Sequence, residues 1–263
     1  MPWRKAIPFC FAVLFLVGCS PINNQSDQDL LSLEEWDVVV IGDSTLWGIG
    51  ENISEHIEND YGIAVNLHDF SIGNLTAVQA LEAVMNSEPD SPHAKMYGWP
   101  EIIQESEYII LHPSPAESIS SSNPGDWSCM YPPYYVDDCS LETLEQFQSD
   151  LRKIVDEIQD LRGGKPIIIR FGSYWGRPGY WEADDAVEEC RTCLETYSTA
   201  IEQVAKQFGI PFISFMDILN GADHNLDPED LGYIGIDNVH MSEEGMRLLA
   251  DQIWDLGVSP VKP

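Results

Sequence analysis

Apolar and polar positions alternate along the chain in blocks that predict five strands, with helices between them and after the last. The strand candidates are short apolar runs, which lie at residues 37–41, 64–70, 108–111, 166–171 and 211–215. The helix candidates carry apolar residues at helical spacing and lie at residues 46–59, 75–85, 141–161, 186–208 and 242–256. Ser242 is the expected N-cap of the last helix.

The apolar runs predict a sheet that is buried on both faces. They lack the alternation of a strand with one solvated face, and strands alternate with helices along the chain. This order predicts an α/β fold, a three-layer α/β/α sandwich around a parallel five-stranded sheet. One domain over residues 36–258 accounts for it, interrupted by a proline-rich insertion at 113–140 and an aromatic, glycine-rich stretch at 172–185.

The N-terminus has the features of an export signal. Two basic residues precede an apolar run at 7–17, which is too short to span a bilayer. The run ends in Leu16-Val17-Gly18-Cys19, which resembles the lipobox of bacterial lipoproteins. That resemblance implies a signal peptide at 1–18, lipidation of Cys19, a polar tether at 19–35 and a place in the bacterial cell envelope outside the cytoplasm. The alternative is a soluble secreted protein cleaved near the same position.

The charge of the chain restricts its partners. The 263 residues include 44 acidic and 13 basic ones, a formal net charge of −31. So negative a surface excludes nucleic acids and anionic lipid headgroups as partners. We expect contact with a membrane only through the lipid anchor.

Four cysteines remain after Cys10 and Cys19 are set aside. An even number in an exported chain predicts two disulfides, and we expect the local pairs Cys129–Cys139 and Cys190–Cys193. A four-cysteine zinc site is the alternative, but only the second pair has the spacing of a zinc knuckle. We therefore predict no metal site.

The stretch VVVIGDSTLWGIG at 38–50 is the first candidate for chemistry. It lacks the lysine of a phosphate-binding P-loop, and its glycines do not match the dinucleotide-binding fingerprint. What remains is Ser44 on the first turn after a buried strand. This is the sheet edge where α/β proteins form their sites, and the N–H groups at the start of a turn or helix stabilise a developing anion there.

A nucleophilic serine needs a base and an acid that orients the base. Of the six histidines, His112 ends a predicted strand and His240 precedes the last predicted helix, three residues after Asp237. Asp-x-x-His on one short loop lets the carboxylate hold Nδ1 of the imidazole, which leaves Nε2 for the serine. The other interpretation of Asp237 and His240 is a polar entry to the helix.

Together these segments resemble the GDSL/SGNH hydrolase family. Its first block corresponds to Gly-Asp-Ser at 42–44, its second to Gly73 after strand two, and its last to Asp237 and His240. The resemblance covers roughly 36–256 and implies a three-layer α/β/α fold with esterase or acyl-transfer chemistry. It makes Ser44 the nucleophile, His240 the general base and Asp237 its orienting acid, with the backbone N–H groups of Ser44 and Gly73 as oxyanion donors.

One block departs from the family pattern. The family has Gly-x-Asn-Asp after strand three, where the Asn completes the oxyanion hole, whereas this chain has IILHPSPAES. His112 is the candidate replacement donor and Ser114 the second choice. We therefore predict a monomeric serine esterase without a cofactor, acting on a small-molecule or glycan ester such as an acylated carbohydrate. The alternatives are a non-catalytic or weakly active binding protein on the same fold and an O-acyltransferase.

Overall fold

The predicted strands form one parallel sheet. The computed structural model describes residues 29–73, 75–85, 98–114, 141–173, 175–176, 187–237 and 240–261, without the side chains of 187–190. The strands are β1 Glu35–Gly42, β2 Ala64–Ser71, β3 Tyr108–His112, β4 Ile168–Gly172 and β5 Phe212–Ile213. Their order across the sheet is β2-β1-β3-β4-β5, and each neighbouring pair is parallel.

Helices connect the strands as the apolar spacing predicts. They are α1 Ile49–Tyr61, α2 Ala77–Met85, α3 Trp99–Glu105, α4 Leu141–Arg162, α5 Val187–Phe208, α6 Phe215–Leu219 and α7 Glu243–Trp254. Ser242 caps α7 as predicted, because its Oγ accepts a hydrogen bond of 3.1 Å from the N–H of Gly245. In parallel strands all carboxyl ends lie at one edge of the sheet, so every segment that follows a strand begins at that edge.

Both faces of the sheet are covered, which confirms the three-layer architecture. Val39 and Ile41 of β1 join an apolar cluster that includes residues of α2, α3, α4 and α5. Val38 and Val40 point to the opposite face and join a second cluster that includes residues of α1 and α7. Successive strand residues therefore enter two different cores, which is why the apolar runs show no alternation.

Two short elements differ from the sequence prediction. The fifth strand was expected to reach residue 215, but β5 ends at Ile213 and α6 begins at Phe215. The Oγ of Ser214 accepts a 3.1 Å hydrogen bond from the N–H of Asp217, and this cap favours a helix start over a continued strand. Helix α3 was not predicted, since it is too short to show a helical period.

The folded part is longer than the predicted domain at both ends. Leu30 is buried, and the indole N–H of Trp36 donates to its carbonyl oxygen at 3.1 Å, so packing begins ahead of residue 36. Val261 is also buried and forms an isolated bridge with Ile167. The predicted signal peptide, Cys19, and residues 115–140 with Cys129 and Cys139 lie outside the described residues. Among the residues described, no helix is both long enough and apolar enough to cross a membrane.

Candidate active site

Ser44 lies on a tight turn directly after β1. Residues Ser44–Leu46 form a 3₁₀ helix capped by Asp43, whose Oδ1 accepts from the backbone N–H of Thr45 at 2.9 Å and from its hydroxyl at 2.5 Å. The N–H of Leu46 donates to the carbonyl of Asp43, and that of Trp47 donates to the carbonyl of Ser44. The turn uses these three N–H groups internally, so the N–H of Ser44 is the donor that it offers to a ligand.

Gly42 allows the ends of β1 and β3 to approach each other closely. It pairs with His112 in the sheet, and the N–H of Asp43 donates to the carbonyl oxygen of His112 at 3.3 Å. A Cβ at position 42 would lie 2.8 Å from that oxygen and 2.7 Å from Cδ1 of Leu46. The close approach of the two strands therefore requires glycine at position 42 for steric reasons, independently of any reaction at Ser44.

Asp237 and His240 form the pair that the Asp-x-x-His spacing predicts. Nδ1 of His240 lies 2.7 Å from Oδ2 of Asp237, and the backbone N–H of His240 donates to Oδ1 of the same carboxylate at 3.0 Å. An isolated bridge between Ile234 and Met241 closes the loop, and the N–H of Gly235 donates to the carbonyl of His240 at 2.8 Å. The carboxylate thus fixes the Nδ1 side of the imidazole, which makes Nε2 the ring atom available to a serine.

Trp47 connects this pair to the turn that carries Ser44. Its indole ring stacks on the imidazole of His240, with a centroid distance of 4.6 Å and an interplanar angle of 19°. The indole N–H donates to the carbonyl oxygen of Ser71, the last residue of β2, at 3.2 Å. Residues at opposite ends of the chain, Ser44 and His240, are therefore joined through one side chain at the carboxyl edge of the sheet. Trp47 was not among the residues predicted from sequence, where its only signal is an aromatic side chain three positions after Ser44.

His112 lies at the same edge but is buried, with 1% of its surface exposed. Its Nδ1 lies 3.2 Å from the carbonyl oxygen of Gly172, and a carbonyl can only accept, so Nδ1 carries the proton. Burial lowers the pKa of His112, against the opposing effects of the Asp43 charge and of this hydrogen bond. A neutral imidazole has one N–H, and here it is directed at Gly172. This geometry argues against the predicted role of His112 as an oxyanion donor.

Gly73 and Ser114 flank the end of β1 on either side. The N–H of Ile72 donates to the carbonyl of Gly42 at 3.0 Å, which holds the Gly73 segment beside β1. Gly73 is exposed and has open space where a Cβ would stand, so its backbone is accessible. Ser114 is buried, and its backbone N–H donates to the carbonyl of Leu75 at 2.7 Å. Of the two residues, Gly73 is the one with backbone accessible to a ligand.

Two further residues from the segments noted in the sequence, Trp175 and Cys193, are among those that the structure describes. Trp175, in the aromatic stretch after β4, is buried and belongs to the core that contains α1 and α7. Cys193 on α5 is disulfide-bonded, and its predicted pairing with Cys190 stays a prediction. Within the described ranges of 29–261, no group of three or more His, Cys, Asp or Glu side chains could hold a metal ion.

Comparison with known proteins establishes the fold. No protein-family model and no curated protein matches the sequence. Among solved structures, the lipase Lip_vut3 from a goat rumen metagenome has a TM-score of 0.60 at 16% identity, covering 85% of this chain and 98% of that one. A candidate GDSL-like lipase from Parabacteroides merdae has a TM-score of 0.59 at 12% identity, with 86% and 97% covered. A lipase/acylhydrolase from Enterococcus faecalis has a TM-score of 0.52 at 14% identity, with 84% and 94% covered.

These neighbours share one architecture with this chain over nearly their whole length. At such low identities the likeness concerns the fold, and it confirms the α/β fold that the resemblance to the GDSL/SGNH hydrolases implied. The chain therefore has the fold of GDSL-like lipases and acylhydrolases. The chemistry has to be argued from its own residues.

Proposed function

We propose that this chain is a serine esterase that hydrolyses the ester of a small molecule or glycan, with Ser44 as nucleophile, His240 as general base and Asp237 as its orienting acid. The observation that carries the proposal is the stack between Trp47 and His240. It brings the Asp237–His240 pair against the turn that bears Ser44. The fold shared with GDSL-like lipases and acylhydrolases supports the same chemistry.

The proposed reaction has two stages, and His240 transfers the proton in both. Nε2 of His240 takes the proton from Oγ of Ser44 as the oxygen attacks the carbonyl carbon of the ester, and the charge passes to the carbonyl oxygen. The backbone N–H groups of Ser44 and Gly73 donate to that oxyanion. Collapse expels the alcohol, which takes the proton from His240 and leaves an acyl-Ser44 ester. Water then attacks this ester while His240 takes one of its protons, the bond between the acyl carbon and Oγ breaks, and His240 returns the proton to Oγ of Ser44 as the acid leaves.

Hydrolysis of p-nitrophenyl acetate and butyrate by the purified protein tests this proposal. We expect turnover and covalent labelling by a fluorophosphonate, both abolished in Ser44→Ala. Ser54→Ala is the matched control, since Ser54 lies on α1 and its Oγ donates to the carbonyl of Gly50. Absence of Ser44-dependent turnover together with absence of labelling would contradict the esterase proposal.

A non-catalytic binding protein on the same fold is the second candidate. It is favoured by one observation, the hydrogen bond from His112 to Gly172 at the position where the family has its Asn donor. Loss of one oxyanion donor typically costs about 2.7–4 kcal/mol in the barrier, which slows the reaction without removing the nucleophile. Rapid labelling of Ser44 without turnover of any ester would favour this candidate. Transfer of the acyl group to added sugar acceptors would instead indicate an O-acyltransferase.

The proposed location is the outside of a bacterial cytoplasmic or outer membrane, with Cys19 as the lipid-bearing N-terminus of a monomeric mature protein. The support is the Leu-Val-Gly-Cys sequence after a short apolar run. Expression in bacteria with an alkyne-tagged fatty acid tests it. We expect label in the wild type and in Cys10→Ala, and none in Cys19→Ala. Equal labelling of both variants would contradict lipidation at Cys19.

A further inference from the structure

We propose that Trp47 is a positioning residue for His240, and that its indole face stabilises the imidazolium that forms when His240 takes the serine proton. This inference rests on the proposed esterase function. It assigns a role to a side chain that belongs neither to the Ser-His-Asp set nor to the oxyanion hole.

The indole of Trp47 is held in place from several sides. Its ring N–H donates to the carbonyl of Ser71 at the end of β2, and its backbone N–H donates to the carbonyl of Ser44. The residue nevertheless stays 47% exposed, which is unusual for so large an apolar residue. It is therefore anchored at the surface, with one face against His240, instead of being packed into a core.

His240 has complementary supports on its edge and on its face. Asp237 holds the Nδ1 edge at 2.7 Å, and Trp47 covers one face at a centroid distance of 4.6 Å. Among the described residues, Asp237 is the charged group in contact with the imidazole, whose side chain is 25% exposed. The carboxylate fixes the tautomer, while the indole restricts the tilt of the ring relative to the turn that carries Ser44.

The stack also favours one charge state of His240. An aromatic face attracts a cation through its quadrupole, and Trp has the strongest such interaction. In the proposed reaction the imidazole is neutral in the ground state and positive in the transition state. Trp47 therefore stabilises the transition state more than the ground state, which is the condition for an effect on kcat. Cation–π interaction energies range from weak at exposed sites to stronger at partly buried ones. This range corresponds to an effect of about two- to thirtyfold on the rate.

Kinetics of Trp47→Phe and Trp47→Leu test the catalytic part. We expect Trp47→Leu to lower kcat about two- to thirtyfold with little change in KM, and to move the acid limb of the pH–rate profile to lower pH. Trp47→Phe keeps an aromatic face and should recover most of kcat. A rise in KM with unchanged kcat would overturn the proposal, because it would make Trp47 a substrate contact.

Trp254 offers a matched control, since it stacks on His56 at 5.4 Å with an interplanar angle of 10° and lies on α7. Trp254→Leu removes a second Trp–His stack that belongs to no proposed site. We expect its kcat and its pH–rate profile to equal those of the wild type. A loss of kcat in Trp254→Leu as large as in Trp47→Leu would overturn the specific role of Trp47.

Fluorescence tests the stack without any turnover. A protonated imidazole in contact with an indole quenches its emission, so acidification should quench Trp47 in the Ser44→Ala, Trp254→Phe background. We expect this quench to disappear when Trp47→Phe or His240→Gln is added. Persistence of the quench in both would overturn the inference and leave the esterase proposal standing. A wild type without Ser44-dependent turnover would overturn the esterase function and the catalytic role of Trp47 together.

Discussion

Nδ1 of His112 donates a hydrogen bond to the carbonyl oxygen of Gly172, and this bond joins the end of β3 to the end of β4. The resemblance to the GDSL/SGNH hydrolases implies an Asn at this strand end, where this chain has the imidazole. Because its single N–H is directed at Gly172, we interpret it as a structural tie between two strand ends. The proposed oxyanion hole then depends on the backbone N–H groups of Ser44 and Gly73.

The variant His112→Leu separates the structural role from the catalytic one. The leucine fills the space of the imidazole with an apolar side chain but leaves the carbonyl of Gly172 without its donor. Loss of this hydrogen bond should lower the free energy of unfolding by about 1–3 kcal/mol. We expect urea unfolding to report that loss, while kcat falls by much less than the roughly 10²–10³-fold that removal of an oxyanion donor causes. A fall in kcat of that size with unchanged stability would restore His112 as an oxyanion donor.

Asp237→Asn should reduce ester hydrolysis while it leaves the loop in place. The Asn carbonyl can still accept from the backbone N–H of His240, but its amide cannot accept the Nδ1 proton, so the imidazole loses the tautomer that the reaction needs. We expect kcat to fall on the order of 10²–10⁴-fold with a small change in KM, measured on p-nitrophenyl butyrate.

Asp251→Asn is the control for Asp237→Asn, because Oδ1 of Asp251 lies 2.8 Å from Nε2 of His56 in a comparably exposed His–carboxylate pair. We expect this variant to keep kcat within about twofold of the wild-type value, because a surface pair that takes no part in the reaction contributes little. Equal losses in both variants would mean that Asp237 acts through general charge and not through His240.

Gly42→Ala should disturb both the fold and the proposed nucleophile. Its Cβ would meet the carbonyl oxygen of His112 and the side chain of Leu46, so β1 and β3 must move apart or the turn must shift. We expect a loss of about 1–3 kcal/mol in unfolding free energy and a fall in kcat.

Gly73→Ala is the comparison for Gly42→Ala. The position has open space for a Cβ, and alanine keeps the backbone N–H that we assign to the oxyanion hole. Stability by urea unfolding and kcat should therefore both stay near the wild type. Tolerance of alanine at position 42 would contradict the close approach of the two strand ends.

His224 should make stability depend on pH in a region away from the proposed site. Its Nδ1 lies 2.8 Å from a carboxylate oxygen of Glu195 on α5, and its Nε2 lies 2.6 Å from one of Asp217 on α6. Burial alone would lower the pKa of His224, but hydrogen bonds to Asp217 and Glu195 outweigh it and raise the pKa above the ordinary 6.5.

A raised pKa in the folded state means that His224 contributes its full stabilisation below the unfolded value of about 6.5 and loses it as pH rises through the folded value. The wild type should therefore exceed His224→Gln in unfolding free energy by more at pH 5.5 than at pH 9. Thermal unfolding at the two pH values measures this difference. A gap that widens towards pH 9 would contradict the assigned direction.

The sheet could be predicted from sequence because each strand is indicated by its own short stretch of residues. The apolar runs 38–41 and 108–111 each predict a buried strand, and the alternation of strands with helices then predicts parallel pairing. The Asp237–His240 pair could also be predicted, since three residues of spacing place both on one loop. Helix α6 could not be predicted, because the choice between strand and helix at Phe215 depends on the Ser214 cap.

The contacts that complete the site could not be predicted in the same way. The stack of Trp47 on His240 joins positions that are far apart in the chain, and no local pattern indicates which face an exposed indole will meet. The bond from His112 to Gly172 likewise depends on the spacing of two neighbouring strands. Such details depend on tertiary geometry, so a family motif can indicate candidate residues without indicating the hydrogen bonds of the side chains beside them.

The closed loop between Ile234 and Met241 has a consequence for engineering. The proposed acid and base lie together on one short C-terminal segment, whereas the proposed nucleophile lies on the turn that follows the first strand of the sheet. A chain cut between α6 and this loop would divide the proposed machinery into two halves, neither competent alone. Ester turnover would then act as a split reporter that reads out whether the two fragments have reassembled.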